Sequence, residues 1–502
     1  MAIVFRQLVI NKQLNEYQGF KIIMTPNNTQ QNEASTFQSL SLPLPINKAL
    51  ADLKYTQLTT TQTASLPYLL QNKDIAVKAK TGSGKTLAFS ISLLTGLLEQ
   101  ADDMGETNTS NKTSIYGLVL CPTRELAQQV AEQIRLLAKH IPNTKVSSFV
   151  GGVAIGPQIA SLVHTPDIVV GTPGRIMDLI RKGKLKVENV QKLVLDEADR
   201  ILDMGFSDQM EWILKALPKQ RHSMLFSATY GGAIERLTKQ YLRQADIVEV
   251  ENTEQHSQIS QLAYVLQDNR LEQGVSAVLT HHQPRSCMIF CQTKVHTQNL
   301  CNELQHLGFS ALTIHGDLTQ FERQRVLTQF ALQCCNVLVA TDVAARGLDL
   351  EQVELVINAQ IAESSETHTH RIGRTGRAEH SGTAITLIEE SQKAGLERIT
   401  HETESKIPIK HIQALRFHAN RIVLPAHECV MVDGGKKQKI SKGDLLGALI
   451  KQAGIPKEDI GKMQVTHDKC YIAIKQRSVK KALGHFREYR VKGKSLRARK
   501  LK

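Results

Sequence analysis

No stretch of this 502-residue chain approaches the roughly 18 consecutive apolar residues that a membrane-spanning helix needs. Its eight cysteines form no CxxC pair and sit mostly in apolar runs, which argues against a zinc site or a disulfide framework and fits a reducing cytosol. The N-terminus, MAIVFRQLVINK, lacks the charged-then-apolar layout of a signal peptide, so a cytoplasmic protein is expected. Aromatic residues are scarce, 5% with a single Trp, while 41% of residues are hydrophobic and 22% charged, a composition that buries several cores without difficulty. Acidic residues are scarce in one place above all. From Glu428 to Lys502 there are 20 Lys/Arg against 7 Asp/Glu, so this tail holds +13 of the formal +14 and points to a polyanionic partner.

What is present begins with AKTGSGKT, Ala79 to Thr86, between the apolar Ile75-Ala76-Val77 and the helix-like Leu87-Ala88-Phe89. Strand, loop and helix in that order is the context of a P-loop. Gly82, Ser83 and Gly84 let backbone N–H groups close on phosphate oxygens, and the N-terminus of the following helix adds its dipole. With Ala79, Lys80 and Thr81 they form the expected phosphate cradle. Lys85 places a point charge between the outer phosphates, and the Thr86 hydroxyl can join a Mg²⁺ shell. The strand Leu193-Val194-Leu195 runs into Asp196-Glu197-Ala198-Asp199. Beside a P-loop, Asp196 is expected to hold Mg²⁺, partly through water, and Glu197 to orient or deprotonate the attacking water. Taken alone, the same four residues could be a solvated helix start.

The chain reads as several domains. Residues 1–34 are mixed and then polar and are expected to form a flexible leader, with Met24 an alternative start of translation. Residues 35–250 alternate short apolar strands (Gly117 to Cys121, Asp167 to Val170, Leu193 to Leu195, Met224 to Phe226) with amphipathic helices, the pattern of a doubly wound parallel sheet. Gln100 to Ser114 is a polar insert. After a linker at 251–261, residues 262–415 repeat the alternation without a second GKT. Residues 428–502 read β-α-β-β-α-β, a small ferredoxin-like sandwich with a last strand at Lys494 to Leu501.

AKTGSGKT, PTRELA (Pro122 to Ala127), GG (Gly151, Gly152), TPGR (Thr172 to Arg175), DEAD (Asp196 to Asp199), SAT (Ser227 to Thr229), ATDVAARGLD (Ala340 to Asp349) and HRIGRTGR (His370 to Arg377) follow one another in that order. Together they resemble the DEAD-box RNA helicases over Phe37 to about Ile407. The resemblance implies an α/β fold of two RecA-like domains in tandem. It implies ATP and Mg²⁺ as cofactors, Gln62 reading adenine with Phe37 packed on it, and Asp349 on the ribose. It makes Arg374 and Arg377 arginine fingers. Ser227, Thr229 and His370 would couple hydrolysis to strand separation, although the two hydroxyl residues could equally be helix caps. Thr123, Arg124, Gly151, Gly152, Thr172, Gly174 and Arg175, with Thr293, Arg323 and Thr341, would grip the RNA backbone without reading bases.

The tail segments MVDGGKKQKISKGDLLGAL, DIGKMQV and KGKSLRARKLK resemble the C-terminal, RRM-like domain of the DbpA family of bacterial helicases. That implies a hairpin near the peptidyl-transferase centre of 23S ribosomal RNA as partner, and a role in 50S subunit assembly. Lys436, Lys437, Lys439, Lys442, Lys475, Arg477, Lys494, Arg497 and Arg499 are the candidate charges. Tyr471 is the one aromatic kept on the expected RNP1 strand, Lys469 to Gln476. The expected activity is an RNA-stimulated ATPase that unwinds short duplexes locally, as a monomer. The alternatives are an ATP-gated clamp or assembly scaffold with little unwinding, or a general helicase without ribosomal preference.

Overall fold

The computed structural model describes residues 22–24, 36–79, 82–104, 114–250, 259–266, 268, 270–345, 353–376 and 382–501. The chain divides into two compact units, the first ending at Asn252 and the second holding nearly all that follows.

The first unit is built on β1 (Ile22–Met24), β2 (Ile75–Lys78), β3 (Gly117–Leu120), β4 (Val146–Phe149), β5 (Ile168–Gly171), β6 (Lys192–Leu195), β7 (His222–Ser227) and β8 (Asp246–Glu249). They form one sheet in the order β1-β8-β2-β7-β6-β3-β5-β4, with every pairing parallel. Helices cover both faces, so β3, β5, β6 and β7 are buried along their whole length. The sheet order decides the function that follows. It sets the P-loop strand β2 beside β7, then β6, then β3, β5 and β4, so the motif loops at their carboxyl ends line up along one edge.

The second unit contains β9 (Ile259–Val265), β10 (Cys287–Cys291), β11 (Ala311–Ile314), β12 (Val337–Thr341), β13 (Leu355–Asn358), β14 (Gly382–Ile388) and β15 (Ile409–His411), again all parallel, in the order β11-β12-β10-β13-β14-β9-β15. The tail adds β16 (His427–Val432), β17 (Ile460–Val465), β18 (Cys470–Lys475), a short hairpin of β19 (Arg490–Val491) and β20 (Lys494–Ser495), and β21 (Ala498–Lys500). Its antiparallel sheet runs β17-β18-β16-β21, the order of a β-α-β-β-α-β sandwich whose two outer strands are the second and the last.

Some boundaries differ from the reading of the sequence. The leader contributes β1 as an edge strand. β4 escaped notice because Val-Ser-Ser-Phe has polar residues on its half-buried positions. β9 begins inside the expected linker. The first helix of the tail is α-helical only from Lys442 to Leu446 and continues as a π-helix from Gly447 to Gln452. The single closing strand is instead a hairpin followed by β21. All eight cysteines are free and buried. No described helix is long and apolar enough to cross a membrane.

Candidate active site and RNA-binding surface

The P-loop leaves β2 at Ala79 and enters the helix Lys85–Met104. Gly82 and Gly84 have φ of +86° and +88°, which side chains with a Cβ resist. A Cβ on Gly84 would also meet Gln62 Nε2 at 2.4 Å. That close approach exists because Thr59 and Gln62 clamp the loop. Thr59 Oγ1 donates to the Ser83 carbonyl at 2.7 Å and Gln62 Nε2 to the Gly84 carbonyl at 3.1 Å, while Gln62 Oε1 accepts from the Thr59 N–H at 2.9 Å. Gln62 is thus part of the loop's support, with one donor and one acceptor position left over. Phe37 is 3% exposed and packs into the first unit's core. Lys85 Nζ donates to the Ala79 carbonyl at 2.7 Å, so the lysine lies folded across its own loop. Lys80, Thr81, Asp349 and Arg377 lie outside the described residues.

At the end of β6, Asp196 and Glu197 are 3% and 5% exposed. Burial pushes the Asp196 carboxyl up to about 7, with Lys85 opposing and Glu197 adding to the rise. A carboxylate this poorly solvated, with the Thr86 hydroxyl following the P-loop, suits a hard divalent cation bound by few protein oxygens and several waters. The residues present therefore fit Mg²⁺, although no cluster of three or more metal-ligating side chains occurs among the described residues. Glu197 takes φ +50°, the left-handed turn that carries the chain from β6 into the helix Ala198–Asp203. Asp199 then reaches β7's end: its Oδ2 accepts from the Ala228 N–H at 3.1 Å, the Thr229 N–H at 3.2 Å and the Thr229 hydroxyl at 3.3 Å. Ser227 is fully buried, and its Oγ accepts from the Thr229 N–H at 3.4 Å.

The seven expected RNA-gripping residues of the first unit come from three neighbouring loops, after β3, β4 and β5. Thr123 caps the helix Arg124–Leu137. Arg124 lies so close to Gly152 that a Cβ there would stand 1.8 Å from its Nη1, and Gly152 has φ +68°. Thr172 Oγ1 accepts from the Gly151 N–H at 3.2 Å, and Arg175 Nη2 donates to the Val153 carbonyl at 2.8 Å. Gly174 faces open space. The second unit repeats the arrangement. Thr293 caps the helix after β10, and Arg323 and Thr341 both bond Ala344, through its carbonyl at 2.7 Å and its N–H at 3.4 Å.

His370 and Arg374 belong to the helix Ser365–Ile372 and the turn that follows it. Between them lies Arg371, to which the motif resemblance assigns no role. It is 1% exposed, forks onto Asp342 with Nε and Nη2 both at 2.7 Å, and donates to the Gln360 carbonyl at 2.7 Å. The signal was available, since ATDVAARG and HRIGRTGR each carry one half of a buried bidentate pair.

In the tail, Lys436, Lys437, Lys439 and Lys442 are exposed beside the β19–β20 hairpin. Lys492 Nζ donates to the Lys439 carbonyl at 3.1 Å and Lys494 Nζ to the Gln438 carbonyl, which gathers these charges into one patch. Lys475 and Arg477 belong elsewhere. Arg477 forks onto Asp459 at 2.8 and 2.6 Å, with Lys475 3.6 Å from the same carboxylate, which they hold well below the usual range. Arg497 and Arg499 are exposed near β21. Tyr471 departs from its expected availability. It is 2% exposed and packs with Met431, Ala473, Cys429 and Leu501 against Leu332 and Cys334 of the preceding α/β domain. Lys469 Nζ, 5.6 Å from the Phe321 ring centre, borders the same contact. The face that would stack bases in an RRM is thereby covered by protein.

Family models match in the same order as these sites: a DEAD/DEAH box helicase domain over residues 59–237, a helicase conserved C-terminal domain over 269–379, and a DbpA RNA binding domain over 429–500. The chain is 42% identical over 456 residues to the ATP-dependent RNA helicase DbpA of Escherichia coli, covering 90% of this chain and 96% of that one. To the Bacillus subtilis protein of the same name it is 34% identical, covering 93% and 99%. Among solved structures, S. cerevisiae Dbp5 bound to RNA and ADP BeF3 matches with a TM-score of 0.66 at 28% identity, covering 76% of this chain and 96% of that one. Mss116p bound to ssRNA and AMP-PNP matches at 0.68 and 25%, covering 78% and 82%. With P-loop, DEAD, SAT and arginine motifs on two RecA-like domains, and a C-terminal RNA-binding domain behind them, this chain belongs to the DEAD-box family of ATP-dependent RNA helicases.

Proposed function

We propose that the protein unwinds short duplexes within 23S ribosomal RNA during 50S subunit assembly, with the basic tail choosing the RNA. The observation that carries the targeting is the separation of labour between surfaces. Glycines, threonine hydroxyls and arginines after β3, β4 and β5 offer backbone contacts only, which select no sequence. The tail supplies +13 of the net charge and presents Lys436, Lys437, Lys439, Lys442, Lys492 and Lys494 around one loop and hairpin. With the β-sheet face of the tail covered, this patch rather than a stacking platform reads the shape and phosphates of an RNA hairpin.

In the first domain, the P-loop amides and Lys85 hold the triphosphate and Gln62 reads the adenine edge beside Phe37, while Asp349, from the second domain's ATDVAARGLD segment, meets the ribose. Asp196 and Thr86 would hold Mg²⁺, which would supply charge neutralisation to the phosphates. Glu197 orients the attacking water and takes its proton. Arg374 and Arg377 supply guanidinium charge to the transferring phosphoryl group, so turnover waits for RNA to engage both domains. Thr229 and Ser227, held by Asp199, pass the change to the RNA loops, with His370 taking part from the second domain. The protein acts as a cytoplasmic monomer.

Measuring ATP hydrolysis stimulated by a 23S fragment containing the peptidyl-transferase hairpin, beside random RNA of equal length, tests the targeting. A strong preference for the fragment is expected. Equal stimulation overturns the targeting and leaves a general helicase.

A further inference from the structure

The DEAD segment is followed directly by Arg200. Its side chain is 2% exposed, among the largest fully buried in the protein. Arg200 Nε lies 3.6 Å from Glu197 Oε2, one helical turn away, with both side chains almost sealed from solvent. Among the described residues nothing accepts a hydrogen bond from its Nη1 or Nη2. A guanidinium has five donors, and one buried with its terminal pair unused is rare. Its hydrogen bonds therefore do not account for its place; its charge does. Asp196, Glu197 and Asp199 place three carboxylates within four consecutive residues, all at most 5% exposed, and Lys85 offsets the charge of Asp196.

The local backbone gives that charge a task. Glu197 stands at the left-handed turn out of β6, as the N-cap of the helix that carries Arg200. The Arg200 N–H donates both to the Glu197 carbonyl at 3.0 Å and to Asp199 Oδ1 at 3.0 Å. Asp199 is in turn fixed by Thr229 through its other oxygen. Arg200 is thus mounted on a firmly tied part of the segment, with its Nε facing the Glu197 carboxylate at 3.6 Å.

We propose that Arg200 is a positioning residue for hydrolysis: from inside the domain, its guanidinium holds the Glu197 carboxylate in the orientation from which it addresses the attacking water. The proposal rests on Glu197 being the residue that activates water. The contacts of Arg200 run to Glu197 and Asp199 within its own segment, so its effect is expected on turnover and not on ATP binding. A lysine keeps the charge but not the planar fork, and restores part of the effect.

The test is a double-mutant cycle of Arg200→Met and Glu197→Gln, with Arg200→Lys as the conservative variant, in the full chain. Thermal unfolding without nucleotide reads the contact itself. Arg200→Met is expected to lower Tm by several degrees beside Glu197 and by clearly less beside glutamine, because the stranded charge is then gone. RNA-stimulated hydrolysis reads the consequence. Arg200→Met is expected to lower kcat by about 10–100-fold with KM for ATP within about twofold, and Arg200→Lys to recover part of the loss. Equal Tm losses in both backgrounds would make Arg200 a packing residue and overturn the proposal. So would a raised KM with kcat unchanged. Full turnover by Glu197→Gln alone would instead overturn the reading of Glu197, and the thermal cycle would still report whether Arg200 holds it. Should Arg200→Met fail to fold, the same cycle run with Arg200→Lys decides between the outcomes.

Discussion

Asp199 holds Thr229 by two hydrogen bonds on one oxygen, from the N–H at 3.2 Å and from the hydroxyl at 3.3 Å. The last residue of the DEAD segment is thereby tied to the end of β7, the strand lying between β2 and β6 in the sheet. Thr229→Val removes the hydroxyl bond and keeps the backbone one. Strand displacement is expected to fall about tenfold, the kinetic equivalent of one modest hydrogen bond, while ATP hydrolysis changes less. Parallel displacement and ATPase assays on the same preparation check it; equal losses in both would remove the coupling role.

The nucleotide site gives a sharper expectation. Lys85→Ala removes the charge folded across the P-loop, and Glu197→Gln removes a proton acceptor without changing shape. Each is expected to lower kcat by at least about 10²-fold. Single-turnover hydrolysis with saturating RNA measures both, and Glu197→Gln should still bind ATP.

Gly152 is a conformational test of the RNA surface. At φ +68°, and with a Cβ destined to stand 1.8 Å from Arg124 Nη1, alanine must displace the arginine. Gly152→Ala is expected to cost about 1 kcal/mol of stability and to weaken binding to every RNA alike. Arg124→Gln should weaken binding uniformly too, and lower the salt dependence of affinity by about one unit of slope. Filter binding at several salt concentrations reads both. A sequence-selective loss would contradict the assignment.

His222, at the start of β7, is 5% exposed, and burial, with Lys192 adding, pushes its imidazole down to about 3. Its folded proton affinity is below the unfolded value, so its stabilising contribution is complete above about pH 6.5 and is lost as pH falls toward 3. Denaturant unfolding of the protein and of His222→Gln across that window should show a shallower acid-side loss in the variant. Parallel curves would refute this.

Much of this was written in the sequence because the motifs are local. A glycine-rich turn, a strand running into carboxylates, and an arginine pair each declare themselves within eight residues. The sheet order was legible only as a class, since β4 hides its core residues behind two serines. Contacts far apart in sequence were the hardest to read. Nothing in Tyr471 announces that Leu332 and Cys334 cover it, and nothing in Lys475 and Arg477 announces that Asp459 takes their charge, so both basic residues read as RNA ligands. The Arg371 fork on Asp342 spans two motifs and was missed for the same reason.

In the proposed function, the basic loop at Lys436, Lys437 and Lys439 chooses the RNA while the helicase domains do the work. Its most direct test is the triple variant with all three changed to Glu, assayed for ATP hydrolysis with the 23S hairpin fragment and with random RNA. The preference for the fragment is expected to disappear while hydrolysis at saturating random RNA stays within about twofold of the unmodified protein. An undiminished preference for the fragment would contradict it.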